Sequence, residues 1–184
     1  MSRITLLQAA HAPVASQAIL GQIQQAFGAT PNMFKAVANS PVALQSMWSA
    51  FGALSKGSLG ATLGEQLAVA IANRNHCEYC LAAHTALGQK AGASAQQMAD
   101  AQIGQAADHR TAAALRFALK VVSERGQITD GDVASLHEVG FGDEQVVEIL
   151  AHVALNLFTN YINVALNVPV DFPKVALQHG DSAH

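Results

Sequence analysis

The chain has 184 residues, only 12% of them charged, and a formal net charge of −3. An average soluble domain carries roughly 25% charged side chains, so much of the usual solvating charge is missing, and no basic footprint for a nucleic acid is present. With 51% hydrophobic but only 5% aromatic residues, the apolar content comes from Ala, Val, Leu and Ile, which suits close helix packing better than a sheet of bulky pairs. Such a length buries on the order of 70% of the surface exposed by the unfolded chain, enough to fold without a disulfide or a metal.

In chain order, Met1 to Gln8 hold too short an apolar stretch for a secretory signal, so a cytoplasmic protein is expected. The run Gly28-Ala-Thr-Pro31-Asn32 closes a first amphipathic helix. Ser40 then caps a second helix with Pro41 at its first position. Leu44, Met47, Trp48 and Phe51 follow at the spacing of one buried face, and Lys56-Gly57 ends the helix. Thr62-x-x-Glu65 reads as a capping box opening a helix with Leu63, Leu67, Ala70 and Ile71 inward, broken at Asn73 to His76. The next helix spans about Cys77 to Lys90, closed by Gly92, and Ser94 caps a short successor. Asp108 opens a long helix through Leu115, Phe117, Leu119 and Val122 to Arg125-Gly126.

A short helix follows from Thr129 to Val139. The last long one begins at Asp143, with Val146, Ile149, Leu150, Val153 and Leu157 as its core stripe, and ends at Pro169. Its apolar run, Val146 to Val168, is interrupted by Glu148, His152, Asn156, Asn160 and Asn163, which argues against a membrane span. The turn between these two helices resembles a DNA-binding helix-turn-helix, but Asp130, Asp132, Glu138, Asp143, Glu144 and Glu148 exclude phosphate contacts there. The expected organisation is one all-α domain over residues 1–173 with a frayed tail over 174–184.

The only two cysteines stand as Cys77-Glu-Tyr-Cys80. In a reducing compartment this spacing points to redox or metal chemistry rather than a structural staple. His84 follows Cys80 by four residues, on the same helical face as both cysteines, and its imidazole can point back toward the Cys80 sulfur. Zinc would need a fourth ligand. His76 projects from another side, and no second C-x-x-C or H-x3-H completes a tetrahedron, so no metal is expected. A disulfide needs Cβ atoms roughly 3.5–4.5 Å apart, closer than the about 5–6 Å of an i, i+3 helical pair. Cys77 is therefore expected at the N-terminal edge of the helix. There the unpaired N–H groups and the macrodipole lower a thiol pKa from about 8.5 into the range of roughly 3.5–7.5. Such a thiolate attacks a peroxide oxygen to give a sulfenic acid, which the second cysteine converts to a disulfide.

Glu65-x11-Cys77-x2-Cys80-x3-His84, with Thr85 and the Lys90-Ala-Gly92 stop, resembles the core motif of the AhpD-like alkylhydroperoxidases in the carboxymuconolactone decarboxylase superfamily. Asn32-Met-Phe, Ser40-Pro41, Gly57-Ser-Leu59, Phe158-Thr-Asn160-Tyr and Pro169-Val-Asp-Phe-Pro173 extend the resemblance to the peroxidase-related branch over most of the chain. The resemblance implies an all-helical fold, trimers or hexamers, and reduction of organic hydroperoxides to alcohols without a bound cofactor. It assigns Cys80 as the peroxidatic cysteine and Cys77 as the resolving one, with Glu65 and His84 as a proton relay. Family members are reduced by external dithiol donors, lipoyl-bearing proteins among them. The chain departs from the pattern at Tyr79, where some members have a second relay histidine, and at Gly64, often Arg before the motif Glu. A phenol of pKa about 10 is a poor base near pH 7.

Each of these residues also has a plainer reading: Glu65 as part of a helix cap, His84 as a packed histidine, Tyr79 as packing with its hydroxyl bonded near the thiols. The alternatives to a peroxidase are a non-catalytic oligomeric redox sensor and, below it, lactone decarboxylation, whose practitioners generally lack the thiol site. One further pattern is a polar stripe, His152, Asn156, Asn160, Asn163 and Asn167, along one face of the last helix. Lacking Lys and Glu, the stripe is expected to line a subunit contact or the cavity near Cys80. No Lys or Arg occurs between Arg125 and Lys174. That gap makes the same region the expected contact of a homo-oligomer.

Overall fold

The computed structural model describes residues 1–178. Among these residues a 3-10 turn at Ala9–His11 precedes nine helices: α1 (Val14–Phe27), α2 (Asn32–Val37), α3 (Pro41–Leu54), α4 (Ala61–Arg74), α5 (Glu78–Lys90), α6 (Ala95–Gln102), α7 (His109–Ser123), α8 (Asp130–Glu138) and α9 (Asp143–Leu166). No strand occurs among the described residues, so the fold is all-α as the composition requires.

The sequence of α4 explains its central place. Leu63, Leu67, Ala68, Val69, Ala70 and Ile71 are buried on successive sides of the helix. A helix that is apolar all round has to be surrounded, and α5, α6, α7 and α9 pack around it. Each fully buried Leu or Ile stabilises the fold by about 1.5–3 kcal/mol relative to exposure. Helix α5 runs back antiparallel along α4 after the turn Asn75–Cys77, where His76 takes a φ of 53°. Thr62 Oγ1 donates to the Ala91 carbonyl at 3.1 Å and ties the far ends of the pair. Close approach depends on Gly88: a Cβ there would stand 3.2 Å from the Cβ of Glu65 and run into Met98, itself only 1% exposed.

Several helix boundaries follow their side chains. Ser40 Oγ accepts from Ala43 N at 3.3 Å, Asp108 Oδ1 from Thr111 N at 2.7 Å, and Ser94 forms a reciprocal box with Gln97. The box expected at Thr62 and Glu65 is absent. Gly60 caps α4 instead, Thr62 lies within the first turn, and Glu65 is free to leave the backbone for another helix. Helix α3 stops at Leu54 rather than at Gly57. Gly57 is small for a different reason: a Cβ there would touch the Glu148 carboxylate at 2.9 Å. That carboxylate accepts from Ser58 N at 2.8 Å, Ser58 Oγ at 3.1 Å and Leu59 N at 3.1 Å, fixing the loop ahead of α4.

Helix α9 is the one helix among the described residues long and apolar enough to cross a membrane, with a mean hydropathy of 1.4 in its most apolar window. Its inner face belongs to the core: Val146, Ile149 and Val153 are buried, followed by Asn156, Asn160 and Asn163. Leu150, expected in the core stripe, is 36% exposed, and Leu157 is only partly buried, because the buried face turns toward the asparagines. The helix ends at Leu166, not Pro169. Asn167 adopts the left-handed cap with φ 51° and donates to the Met1 carbonyl at 3.0 Å, so it leaves the stripe.

Beyond α9 the chain runs extended across the end of the bundle. Asp171 Oδ2 accepts from Asn32 N at 2.8 Å at the start of α2, a favourable place for an anion. Gln178 exchanges backbone hydrogen bonds with the Asn73 side chain at 2.8 and 2.9 Å, and Gln102 holds the Ala176 carbonyl at 2.8 Å. Residues 174–178 of the expected tail are therefore held against α4 and α6, while 179–184 lie outside the described residues.

Candidate functional site

Cys77 is the N-cap of α5, with φ −91° and ψ 86°, and its Sγ accepts from Cys80 N at 3.2 Å. The sulfur does the work of a capping oxygen, which is why the first cysteine stands just outside the helix. Cys80 lies one turn in. Both are reduced and buried, 1% and 2% exposed respectively. Asn163 Nδ2 of α9 donates to Cys80 Sγ at 3.2 Å.

The two thiols are driven in opposite directions. Burial pushes the Cys80 thiol up, but a hydrogen bond from the Cys77 thiol, the charge of His84 and the amides of Asn163 and Asn160 together bring it down to about 7. Cys77 moves well above the usual thiol range, first through its hydrogen bond to Cys80 and then through burial. The second cysteine is thus the more acidic of the two, and the first is the one that keeps its proton when the pair ionises.

One turn further along α5, His84 Nδ1 meets Glu65 Oε2 of α4 at 2.7 Å. Burial lowers the His84 pKa, and the Glu65 carboxylate and the Cys80 sulfur more than offset it, so the imidazole titrates above its ordinary value. The pair forms where Gly88 lets the helices close up. Glu65 of α4 is thus brought to Cys77, Cys80 and His84 of α5 and its cap.

Tyr79 lines the same cavity as Cys80 but bonds elsewhere. Its hydroxyl accepts from Met33 N at 3.2 Å and faces Asp171, and its ring packs edge-on to Phe172 at 5.8 Å. Burial and the Asp171 carboxylate push the phenol above its ordinary range, which makes it a positioning group rather than a base. His76 is exposed at the α4–α5 turn.

Two cavities meet at His84. One, of about 40 Å³, reaches Cys80 and is walled by apolar side chains including Phe27, Met33, Phe34, Phe51 and Phe172. The other, of about 140 Å³, is bordered by Glu65, His152, Asn156, Gly64 and Ser55. Sequence reasoning placed His152 only in a stripe. In the fold it covers Gly64, whose missing Cβ would approach the imidazole Cε1 to 3.0 Å. Burial lowers its pKa, with Glu148 and Glu65 acting against this and His84 with it. The signal for that contact was the glycine preceding Glu65.

Residues 43–124 match the family model described as carboxymuconolactone decarboxylase family. They contain Glu65, Cys77, Cys80 and His84 and leave α9 outside. The chain matches no curated protein. A crystal structure of a peroxidase-related protein with an alkylhydroperoxidase AhpD core, from Ralstonia eutropha JMP134, aligns over 92% of both chains at 25% identity with a TM-score of 0.85. A peroxidase-related protein from Silicibacter sp. TM1040 aligns over 97% of this chain and 94% of that one, at 24% identity and a TM-score of 0.80. The same fold is found in the debrominase Bmp8, solved as a Cys-to-Ala variant in complex with a tribromopyrrole, at 19% identity over 93% of this chain and 94% of that one, with a TM-score of 0.79.

Proposed function

We propose that this chain, whose residues 43–124 match the carboxymuconolactone decarboxylase family model and whose fold is that of peroxidase-related proteins with an AhpD core, is a member of the peroxidase-related branch of that superfamily and a cysteine peroxidase that reduces organic hydroperoxides to alcohols. The observation that carries the reading is the asymmetry of the thiols: Cys80 is brought to about 7 beside an apolar cavity while Cys77 stays protonated against it. The Cys80 thiolate attacks the terminal peroxide oxygen. The O–O bond breaks, and the leaving alkoxide takes a proton through His84, which Glu65 orients and charges. The Cys77 thiol then attacks the Cys80 sulfenic acid, releasing water and forming the disulfide. An external dithiol, of the kind carried on a lipoyl group, returns both cysteines to thiols in a cytoplasmic setting.

The cavity at Cys80 holds about 40 Å³, and one water needs about 10–15 Å³. A peroxide head fits, and an alkyl tail enters by displacing the phenylalanine shell, of which Phe27 is 38% exposed. The exposed apolar side chains of α9, Val147, Leu150, Tyr161 and Val164, suit the subunit contact of a trimer or hexamer.

The test is steady turnover of cumene hydroperoxide with dihydrolipoamide in excess. Wild type consumes hydroperoxide over many cycles and Cys80→Ser falls to the uncatalysed rate. Equal, slow consumption by both contradicts the proposal. A single stoichiometric oxidation without recycling assigns the disulfide to a redox switch instead.

A further inference from the structure

Helix α9 presents Asn160 and Asn163 to the site from outside residues 43–124, with exposures of 0% and 3%. Each carboxamide has one partner. Asn160 Oδ1 accepts from Asn75 Nδ2 at 3.0 Å, and Asn163 Nδ2 donates to Cys80 Sγ at 3.2 Å. The remaining atoms, Asn160 Nδ2 and Asn163 Oδ1, are buried and complete no hydrogen bond among the described residues, Asn160 Nδ2 acting on the Cys80 sulfur only from outside bonding geometry. Buried polar atoms are nearly always satisfied, and an exception calls for a reason. Folding supplies none here, since Val146, Ile149 and Val153 fill the same face of α9 with apolar groups.

The two unpartnered atoms are one donor and one acceptor. A sulfenic acid, Cys–S–O–H, offers the complementary set: an oxygen that accepts and a hydroxyl that donates. We propose that Asn160 and Asn163 are catalytic residues that hold the Cys80 thiolate and then bind the oxygen transferred to it, Asn160 Nδ2 donating to that oxygen and Asn163 Oδ1 accepting its hydroxyl proton. The inference rests on the peroxidase reading for the oxygen and not for the thiolate. In the step itself the S–O bond forms as the O–O bond breaks, sulfur loses the electron pair that leaves with the alkoxide, and the alkoxide is protonated from His84. The terminal hydroxyl of the hydroperoxide keeps its own proton and becomes the hydroxyl of the sulfenic acid. Both amides also favour the anionic sulfur before any oxidant arrives.

The charged and titratable groups around Cys80 are Cys77, Tyr79 and His84 of α5 and its cap, Glu65 of α4 behind His84, and Asp171 behind Tyr79. The groups that α9 turns to the sulfur are neutral amides, so replacing them by leucine of similar size changes hydrogen bonding without changing net charge.

The experiment uses the full chain carrying Cys77→Ser, which leaves Cys80 as the single thiol. Iodoacetamide alkylation is followed against pH, and oxidation by cumene hydroperoxide is followed separately with a sulfenic-acid trap. With Asn163→Leu the alkylation midpoint rises by about one pH unit, roughly a tenfold loss of thiolate below it. With Asn160→Leu oxidation falls at least about tenfold further than alkylation does, because a donor to the transferred oxygen is lost. If a leucine variant lacks the parent's circular dichroism and melting temperature, alanine at the same position replaces it. Folded variants that match the parent within about twofold in both reactions overturn the proposal. A parent that alkylates near neutrality yet resists hydroperoxide overturns the peroxidase reading alone, and the amide role at the thiolate then stands or falls on the alkylation comparison.

Discussion

A thiol as buried as Cys80 ordinarily titrates above its usual range, because burial disfavours the anion. Its pKa of about 7 is therefore a balance in which the Cys77 thiol, the His84 charge and two amides outweigh desolvation. Removing the His84 charge takes away a group that lowers the Cys80 pKa, so His84→Gln moves the alkylation midpoint of Cys80 to higher pH. Turnover near pH 7 falls by about 10²-fold. Glu65→Gln leaves the imidazole in place but removes the carboxylate that raises its pKa, and shifts the pH profile in the same direction by less. Both are read from iodoacetamide rates and hydroperoxide turnover across pH 5 to 10. At this scale the C-x-x-C-x3-H pattern was legible because its geometry is local to one helix start. Their partners were legible only indirectly: Glu65, 19 positions from His84, came through the family resemblance, and Asn163, 83 positions from Cys80, only as part of a stripe that fitted an interface as well as the cavity. Periodicity marks such residues as sharing a face but does not say which helix the face will meet.

Helices α4 and α5 bring Glu65 to His84 through the absence of a side chain. Gly88 lies against Glu65 and Met98, and any Cβ added there has to push one of them away. Gly88→Ala is expected to destabilise the protein by about 1–3 kcal/mol, measured by urea denaturation, and to reduce turnover beyond the loss of folded protein because Glu65 moves off His84. Unchanged turnover per folded molecule would show that the Glu65 contact does not depend on this approach. The same pair of helices shows why the Thr62–Glu65 capping box misled. A local motif competes with a tertiary partner, and a charge-assisted bond to a half-buried imidazole is stronger than a cap in water. Boundaries with a dedicated side chain, at Ser40, Ser94 and Asp108, were readable from sequence. The end of α3 was not, because Gly57 serves Glu148 from a helix far along the chain.

The scarcity of charge in the whole molecule divides between two causes. Part of it is the apolar α4, which needs no charge because other helices surround it. Part lies on α9, whose asparagines turn inward to Cys80 and whose outer side exposes Val147 at 64%, Tyr161 at 61% and Val164 at 48%. Static light scattering at micromolar concentration is expected to give a multiple of the 19.2 kDa chain mass, and Val147→Lys with Val164→Lys to shift it toward the monomer. A wild-type monomer would leave the bare face unexplained. The all-α class was legible from composition. The inward turn of the amide stripe was not, since its spacing fits an interface as well as a cavity.

The central claim is that Cys80 receives the oxygen and Cys77 resolves it. Intact-protein mass after one equivalent of cumene hydroperoxide tests this most directly. Wild type is expected to lose two hydrogens as the disulfide closes, Cys77→Ser to gain one oxygen at Cys80, and Cys80→Ser to stay unchanged. Oxygen appearing on Cys77 in the Cys80→Ser variant, at a rate comparable to the wild-type reaction, would contradict the assignment.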